Sequence, residues 1–307
     1  MMQSAAEGVL LVAHGTVTDL DELAPFLTSI RRGRPPSDEL IAEMRRRYTA
    51  IDRSPHLDTT SLQANLLARR IGRRVLTGMR FGSPSIEQSL RESAALGLEH
   101  LVVLPMAPYS VDLYAGEVRA RYEAMRGLAP TARIRLSAVV PWGTKPSLVH
   151  AHASLIRTFA GDALDDGASL VLSAHSLPMR VIESGDSYAV EAAACASLIG
   201  DALGVESRLC FQSQGADGGR WLGPDIVDVV TELAESGQKH IVLAPFGFLC
   251  DHVETLFDLD IELKSVADRL GVRLRRVPAL GVHAGLIDTL VELVIPVLSS
   301  AREAQFA

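Results

Sequence analysis

Two rhythms alternate along the chain. Short, nearly continuous apolar runs lie at Val9–Ala13, Arg74–Phe81, Leu101–Pro105, Arg133–Val140, Ser169–Ala174, Arg208–Phe211, Ile241–Pro245 and Val272–Val277. Their length and their bounding Gly, Pro and Ser residues predict strands covered on both faces. Longer segments with apolar residues at helical spacing separate them, among them Asp38–Ile51, Ser61–Ile71, Ser85–Leu96, Ser187–Leu203, Asp225–Ser236 and His252–Leu270. Such alternation predicts the α/β class, with parallel sheets flanked by helices. In sheets of this kind the ligand crevice lies beyond the carboxyl ends of the strands, so the residues that follow each strand are the first candidates for function.

The pattern repeats. PSIEQSLRESAALGLEHLVVLP (Pro84–Pro105) aligns without a gap with PDIVDVVTELAESGQKHIVLAP (Pro224–Pro245), and 8 of 22 positions are identical, including both terminal prolines, Gly97/Gly237 and His100/His240. Each unit places Pro near a helix start and Gly after its end, as helix termini prefer. The opening strands match as well: LLVAHGT from Leu10 and LVLSAHSLP from Leu170 each put a His after a strand ending in Ala. Two related domains are expected, 1–143 and 144–307, divided within PWGTKP and facing each other across a cleft, with the final helix free to pack back on the first.

Three groups could carry chemistry. His175 leaves its strand just before Ser176-Leu177-Pro178, where the proline biases the preceding residue away from helix. His14 is its counterpart in the repeat. PFGFLCDHVETLFDLDIE (Pro245–Glu262) follows a strand with a Gly turn and then an acidic helix. There Glu254, Asp258 and Glu262 stand four apart, which makes one stripe on an α-helix. Imidazole with carboxylates suits a divalent cation, and a solvated helix face reads the same way. The third group is IRRGRPP with RRRY after it. Arg31, Arg32, Arg34 and Arg47 offer planar forks for carboxylates or phosphates, or simply solubilise a loop. Tyr48, Ser54, Tyr109 and Tyr114 lie on or beside neighbouring turns and helices. His100 and His240 precede strands and read as structural. His252 reads as a helix cap or a support to the site. Neither a G-x-G-x-x-G nor a Walker A sequence occurs, which removes support for dinucleotide or ATP binding.

Composition narrows this further. Hydrophobic residues make up 48% and charged ones 22%, which excludes disorder. The net charge of −7 divides unevenly: +3 over 1–143, which contains 18 Arg and no Lys, and −10 over 144–307. That balance argues against a nucleic-acid binder and suits a ligand with anionic groups at one end and a cation at the other. Three cysteines, Cys195, Cys210 and Cys250, lack metal or disulfide spacing and predict a reduced, cytoplasmic protein. They are too few for an all-cysteine [2Fe–2S] cluster. MMQSAAEG does not resemble a secretory leader, and Leu286–Leu298, interrupted by Asp288 and Glu292, is too short and charged to span a bilayer.

SAHSLP (Ser173–Pro178), FQSQ (Phe211–Gln214), GPD (Gly223–Asp225) and P-x-G-F-x-x-D-H-x-E-T-L (Pro245–Leu256) together resemble the ferrochelatases in order and spacing, over nearly the whole chain. IRRGRPP followed by RYTAI is most similar to the coproporphyrin III ferrochelatases typical of Gram-positive bacteria. The resemblance implies two Rossmann-like, chelatase-type domains that insert Fe(II) into a porphyrin in haem biosynthesis. It implies His175 and Glu254 at the porphyrin centre, Asp258 and Glu262 on a metal path, and porphyrin contacts from His14, Arg31, Arg32, Arg34, Arg47, Tyr48, Ser54, Tyr109 and Tyr114. Fe(II) is then a substrate, and no prosthetic group or [2Fe–2S] cluster is expected. No clear apolar surface stripe is left over, so a monomer is expected, without a membrane span or nucleic-acid partner. The family's coproporphyrin branch usually carries Tyr where His14 stands, and a strand-end His followed by Gly also resembles the sirohydrochlorin chelatases. The alternatives are a protoporphyrin IX ferrochelatase, a sirohydrochlorin cobalt or iron chelatase, and a haem-binding or delivery protein.

Overall fold

In the computed structural model the described residues are 7–125, 134–215 and 219–303; residues 1–6 and Arg133 of the fourth strand run lie outside them. All eight strand runs form strands. β1 (Glu7–Ala13), β2 (Arg74–Met79), β3 (His100–Pro105) and β4 (Arg135–Ala138) make one parallel sheet in the order β2-β1-β3-β4. β5 (Ser169–His175), β6 (Ser207–Gln212), β7 (His240–Ala244) and β8 (Arg273–Arg276) make a second in the order β6-β5-β7-β8. The two sheets have the same topology, so the chain is a duplicated α/β fold. The central strands β1 and β3 are buried at every residue, whereas the edge strands β2 and β4 are only partly covered. This is why the central strands read as unbroken apolar runs.

The helices are α1 (Leu23–Ile30), α2 (Asp38–Ala50), α3 (His56–Ile71), α4 (Ile86–Ala95), α5 (Val111–Met125), α6 (Pro146–Asp165), α7 (Met179–Glu183), α8 (Tyr188–Leu203), α9 (Ile226–Glu235), α10 (Val253–Leu256), α11 (Lys264–Arg269) and α12 (Ala284–Glu303). Two compact units result. Residues 7–45, 56–142 and 287–303 form one; residues 46–55 and 143–286 form the other. In the first, Leu10, Val12, Leu101 and Val103 pack against Ile86, Leu90 and Val118 of the helices. In the second, Val171, Ile241 and Leu243 pack against Val229, Val230 and Leu259.

The sequence repeat is visible backbone for backbone. Ser85 and Asp225 cap α4 and α9, and Gly97 and Gly237 follow those helices with φ of 71° and 93°. The Met79 N–H donates to Pro84 O at 2.7 Å, and the Phe211 N–H to Pro224 O at 2.8 Å, so the same turn follows the same strand in both units.

One expected element is not a single α-helix. His252–Leu270 divides into α10, a π-helical turn at Asp258–Leu263, and α11. The Phe257 carbonyl accepts from both the Ile261 N–H (3.2 Å) and the Glu262 N–H (3.0 Å), which inserts one residue into the turn. The widening lets Phe257, Leu259 and Leu263 all be buried while the intervening acids reach polar partners. Such bulges recur at functional sites, and this one replaces the regular four-residue stripe read from the sequence.

Candidate active site

The site of the second unit is built where β5 ends. β5 pairs with β6 up to His175–Gln212, then turns. The turn is held tightly: the Ser176 N–H donates to Gln212 O (2.8 Å), the Ser176 hydroxyl to Leu222 O (2.7 Å), and the Leu222 N–H to Leu177 O (2.8 Å). The Tyr188 hydroxyl donates to the His175 carbonyl at 2.8 Å. From the neighbouring strand, the loop after β7 closes over this point because Gly247 has no side chain. A Cβ there would lie 2.6 Å from Ala174 Cα. The Gly247 N–H donates instead to Ser173 O at 3.1 Å.

That loop delivers Glu254. His175 Nδ1 and Glu254 Oε2 are 3.1 Å apart, and each side chain is 35% exposed, so the pair is anchored yet reachable. Burial works against charging His175, but the charge and hydrogen bond of Glu254, with Asp258 behind, outweigh it and raise its pKa above the ordinary value. His252 Nε2 lies 3.8 Å from the same carboxylate oxygen. Its backbone N–H donates to the Thr255 hydroxyl (3.0 Å), which tightens the first turn of α10. Burial lowers the pKa of His252, with Glu254 opposing and His175 adding to the fall. Phe248 sets its ring edge-to-face with both histidines, at 6.4 Å and 5.0 Å. One carboxylate thus faces two imidazoles of opposite tendency.

Asp258 and Glu262 are brought together from the π turn by Arg47. Its Nη1 is 2.9 Å from Asp258 Oδ1 and its Nη2 3.8 Å from Glu262 Oε2, with the guanidinium 5.0 Å over the Phe257 ring. The Ser213 hydroxyl donates to Asp258 Oδ2 at 2.6 Å from a left-handed backbone (φ 59°) that costs a non-glycine residue about 1–2 kcal/mol. Burial raises the Asp258 carboxyl to about 6, with the Ser213 hydrogen bond pulling down and Glu254 pushing up. Gln212 donates to the Glu254 carbonyl (2.8 Å) and accepts from the Ser173 hydroxyl (2.7 Å). Among the described residues no three His, Cys, Asp or Glu converge as a closed metal cage. The carboxylates are arranged as partners in sequence: Glu254 on the histidines, then Asp258 and Glu262 on Arg47.

The first unit's equivalent is His14. It is exposed at the end of β1, its Nδ1 is 3.1 Å from the Tyr114 hydroxyl, and it meets Phe81 edge-to-face. Arg80 lies 5.1 Å over the Tyr114 ring and is itself held by Glu117 at 2.5 Å. Arg31, Arg32 and Arg34 lie on the loop after α1, with Arg32 in a left-handed turn (φ 56°) and both Arg32 and Arg34 exposed. Tyr109 and Tyr114 are largely buried in the first unit, and Tyr48 and Ser54 are buried in the second, in the same segment as Arg47. His100, expected to be structural, is buried with Nε2 at 3.0 Å from the Ser137 hydroxyl. Sequence reading missed Gln212, Ser213, Tyr188 and Arg276. The FQSQ motif signalled the first two; Tyr188 and Arg276 carried no local signal.

The second half of a duplicated α/β scaffold thus carries a strand-end His–carboxylate pair with trailing acids. The ferrochelatase family model matches residues 6–297, and the chain belongs to the ferrochelatase family. It is 35% identical to a coproporphyrin III ferrochelatase of Anoxybacillus flavithermus, over 99% of this chain and 100% of the relative. It is 33% identical to a ferrochelatase of Herpetosiphon aurantiacus, over 95% and 99%. Among solved structures, the sirohydrochlorin chelatase SirB from Bacillus subtilis subspecies spizizenii in complex with cobalt has a TM-score of 0.56 at 16% identity, covering 98% of each chain. CbiX, described as the terminal enzyme for siroheme biosynthesis in denitrifying bacteria, has 0.55 at 17%, covering 94% of this chain and 98% of its own. These two share the fold. The chain is therefore an enzyme of haem biosynthesis that acts on a porphyrin and iron. No helix among the described residues is long and apolar enough to cross a membrane.

Proposed function

We propose that this chain inserts Fe(II) into coproporphyrin III, with His175 and Glu254 as the groups that take the pyrrole protons and meet the metal. The observation that carries this is the 3.1 Å His175–Glu254 pair, poised at a strand end with a third of each side chain open. Insertion must remove two pyrrole protons and strip water from the ion. The neutral imidazole of His175 can accept a proton, and Glu254 stabilises the resulting charge and orients the ring. Asp258 and Glu262 then pass hydrated metal inward or protons outward, and Arg47 balances their charge between turnovers. Arg31, Arg32 and Arg34 supply the forks that propionates need. Binding energy gained there can hold the macrocycle bent, a strain that exposes its nitrogen lone pairs.

Four propionates rather than two are favoured by the arginine loop and by relatives named for coproporphyrin III at 35% and 30% identity. The reaction needs no resident prosthetic group, and we place the enzyme in the cytoplasm as a monomer. His14 favours a second reading, a sirohydrochlorin-type chelatase. An anaerobic Fe(II) assay with coproporphyrin III, protoporphyrin IX and sirohydrochlorin side by side separates these readings. The highest kcat/KM is expected for coproporphyrin III; a preference for sirohydrochlorin would reverse the assignment. Tight haem binding without any metallation would instead mark a haem carrier.

A further inference from the structure

The acidic segment that carries Glu254, Asp258 and Glu262 holds two more carboxylates, Asp251 and Asp260, for which the chemistry above has no use. Both face Arg276, the last residue of β8. Arg276 Nη1 donates to Asp251 Oδ1 at 2.7 Å. Its Nε and Nη2 grip Asp260 as a fork, at 2.7 Å and 2.5 Å. The Arg276 side chain is only 14% exposed, and that of Asp251 21%. Asp251 also accepts from the Thr255 hydroxyl at 2.9 Å, and that hydroxyl accepts from the His252 N–H. One side chain therefore ties the residue before His252, the first turn of α10 and the middle of the π turn to the edge of the sheet. Charge-assisted, bidentate contacts of this kind fix geometry as well as energy.

We propose that Arg276 is a positioning residue for metal insertion. It braces Asp251 and Asp260 against β8 so that Glu254 faces His175 while Asp258 faces Ser213 and Arg47. It also divides five neighbouring carboxylates into two that hold structure and three that handle the cation. The assignment rests on the reading of His175 and Glu254 as the reactive pair.

The test compares Arg276→Met, Arg276→Lys and Asp260→Asn in the full chain, with His175→Ala alongside. Misplacing reactive groups by an ångström can cost a hundredfold, so Arg276→Met is expected to lower kcat by about tenfold to a hundredfold with the porphyrin KM held within about twofold. Arg276→Lys keeps the charge but loses the fork, and an intermediate kcat is expected. Asp260→Asn acts in the same direction, and the double variant should be no worse than Arg276→Met alone, because Arg276→Met has already removed the contact that Asp260→Asn weakens. Independently of activity, amides of 252–263 should exchange hydrogen faster in Arg276→Met, with those of β1 and β3 unchanged. Unchanged kcat and exchange in Arg276→Met, or losses that multiply in the double variant, overturn the proposal. If Arg276→Met does not fold, Asp260→Asn decides by the same two readouts. A His175→Ala enzyme with normal kcat would instead sink the reactive-pair reading, and the exchange measurement would still decide the brace.

Discussion

Two histidines stand at the same place in the two halves of the duplicated fold and have been given different partners. His14 leaves β1 and meets a phenol, Tyr114, backed by Arg80 and Glu117. His175 leaves β5 and meets a carboxylate, Glu254, backed by Asp258. The scaffold therefore supplies position, and the partner decides chemistry. A carboxylate makes its imidazole more basic and able to carry a proton. His14 is instead set against a phenol whose ring carries the Arg80 guanidinium.

The sharpest way to break this contrast is to remove each histidine in turn. General acid–base groups contribute about 10²–10⁴-fold, so His175→Ala and Glu254→Gln should each lower kcat by about that factor in the anaerobic assay. His14→Ala should cost far less in kcat and should alter the absorption spectrum of the bound iron-porphyrin product. Equal losses in kcat from the two histidines would erase the distinction. An unchanged product spectrum would remove His14 from the metal.

The glycines beside the two strand ends come next. A Cβ on Gly247 would meet Ala174 Cα at 2.6 Å; one on Gly15 would meet Phe81 O at 1.7 Å, at a residue with φ of +102°. Gly247→Ala should lower unfolding free energy by about 1–3 kcal/mol through overpacking. Gly15→Ala should cost more, adding about 1–2 kcal/mol of backbone strain to a closer clash with the Phe81 backbone. Urea unfolding measures both. The contrast predicts that only Gly247→Ala also depresses kcat beyond what its lost stability explains, since only it displaces the strand end that carries His175.

Much of this was readable from the chain, and for a physical reason. Central strands of a parallel sheet are buried on both faces, so Val9–Ala13 and Ile241–Pro245 stand out as apolar runs. Repeated Pro and Gly positions exposed the duplication, because helix ends demand them. His175 and Glu254 stood out in the sequence because each follows a strand within a motif, and the structure brings them within 3.1 Å. What could not be read is what depends on an extra residue in a turn or on contacts across the sheet. The π turn at Asp258–Leu263 leaves no mark in a four-residue spacing that suits an α-helix equally well. Arg47 was read as a porphyrin contact, and its pairing with Asp258, 211 residues away, carried no signal in the sequence. Arg276 looked like one basic residue in RLRR.

Buried histidines make both halves sensitive to pH, the second more strongly. In the first unit His100 Nε2 meets the Ser137 hydroxyl at 3.0 Å, with Glu7 3.7 Å away, and burial lowers its pKa. In the second, His152 of α6 is 4% exposed, its Nε2 has no hydrogen-bond partner, and burial together with His283 lowers its pKa to about 3. Unfolded, the same ring titrates near the ordinary value. Below about 6.5 the unfolded chain therefore binds a proton that the folded one refuses. The stability is complete above that pH and is lost as pH falls toward about 3, at up to about 1.4 kcal/mol per pH unit. His152→Leu should flatten the decline of urea midpoints between pH 7 and pH 5. Parallel declines in wild type and variant would show that His152 is not the source.

The smallest effect tests the repeat itself. Ser85 caps α4 by accepting the Gln88 N–H at 3.2 Å, while Gln88 Oε1 reaches back to the Ser85 N–H at 2.6 Å. Asp225 caps α9 by accepting the Val227 N–H at 2.8 Å and takes a second bond from Gln214 at 3.0 Å. Losing a cap costs about 1 kcal/mol. Ser85→Ala and Asp225→Ala should each lower the unfolding free energy by about that amount, since the two positions do the same work. A second difference is expected to fall on activity. Gln214 follows Ser213, whose hydroxyl holds Asp258, so freeing Gln214 in Asp225→Ala should loosen the left-handed turn beside Asp258. Ser85 has no such neighbour. Matched losses of stability with a kcat deficit confined to Asp225→Ala would therefore show that one half uses for catalysis a cap that the other uses only to start a helix.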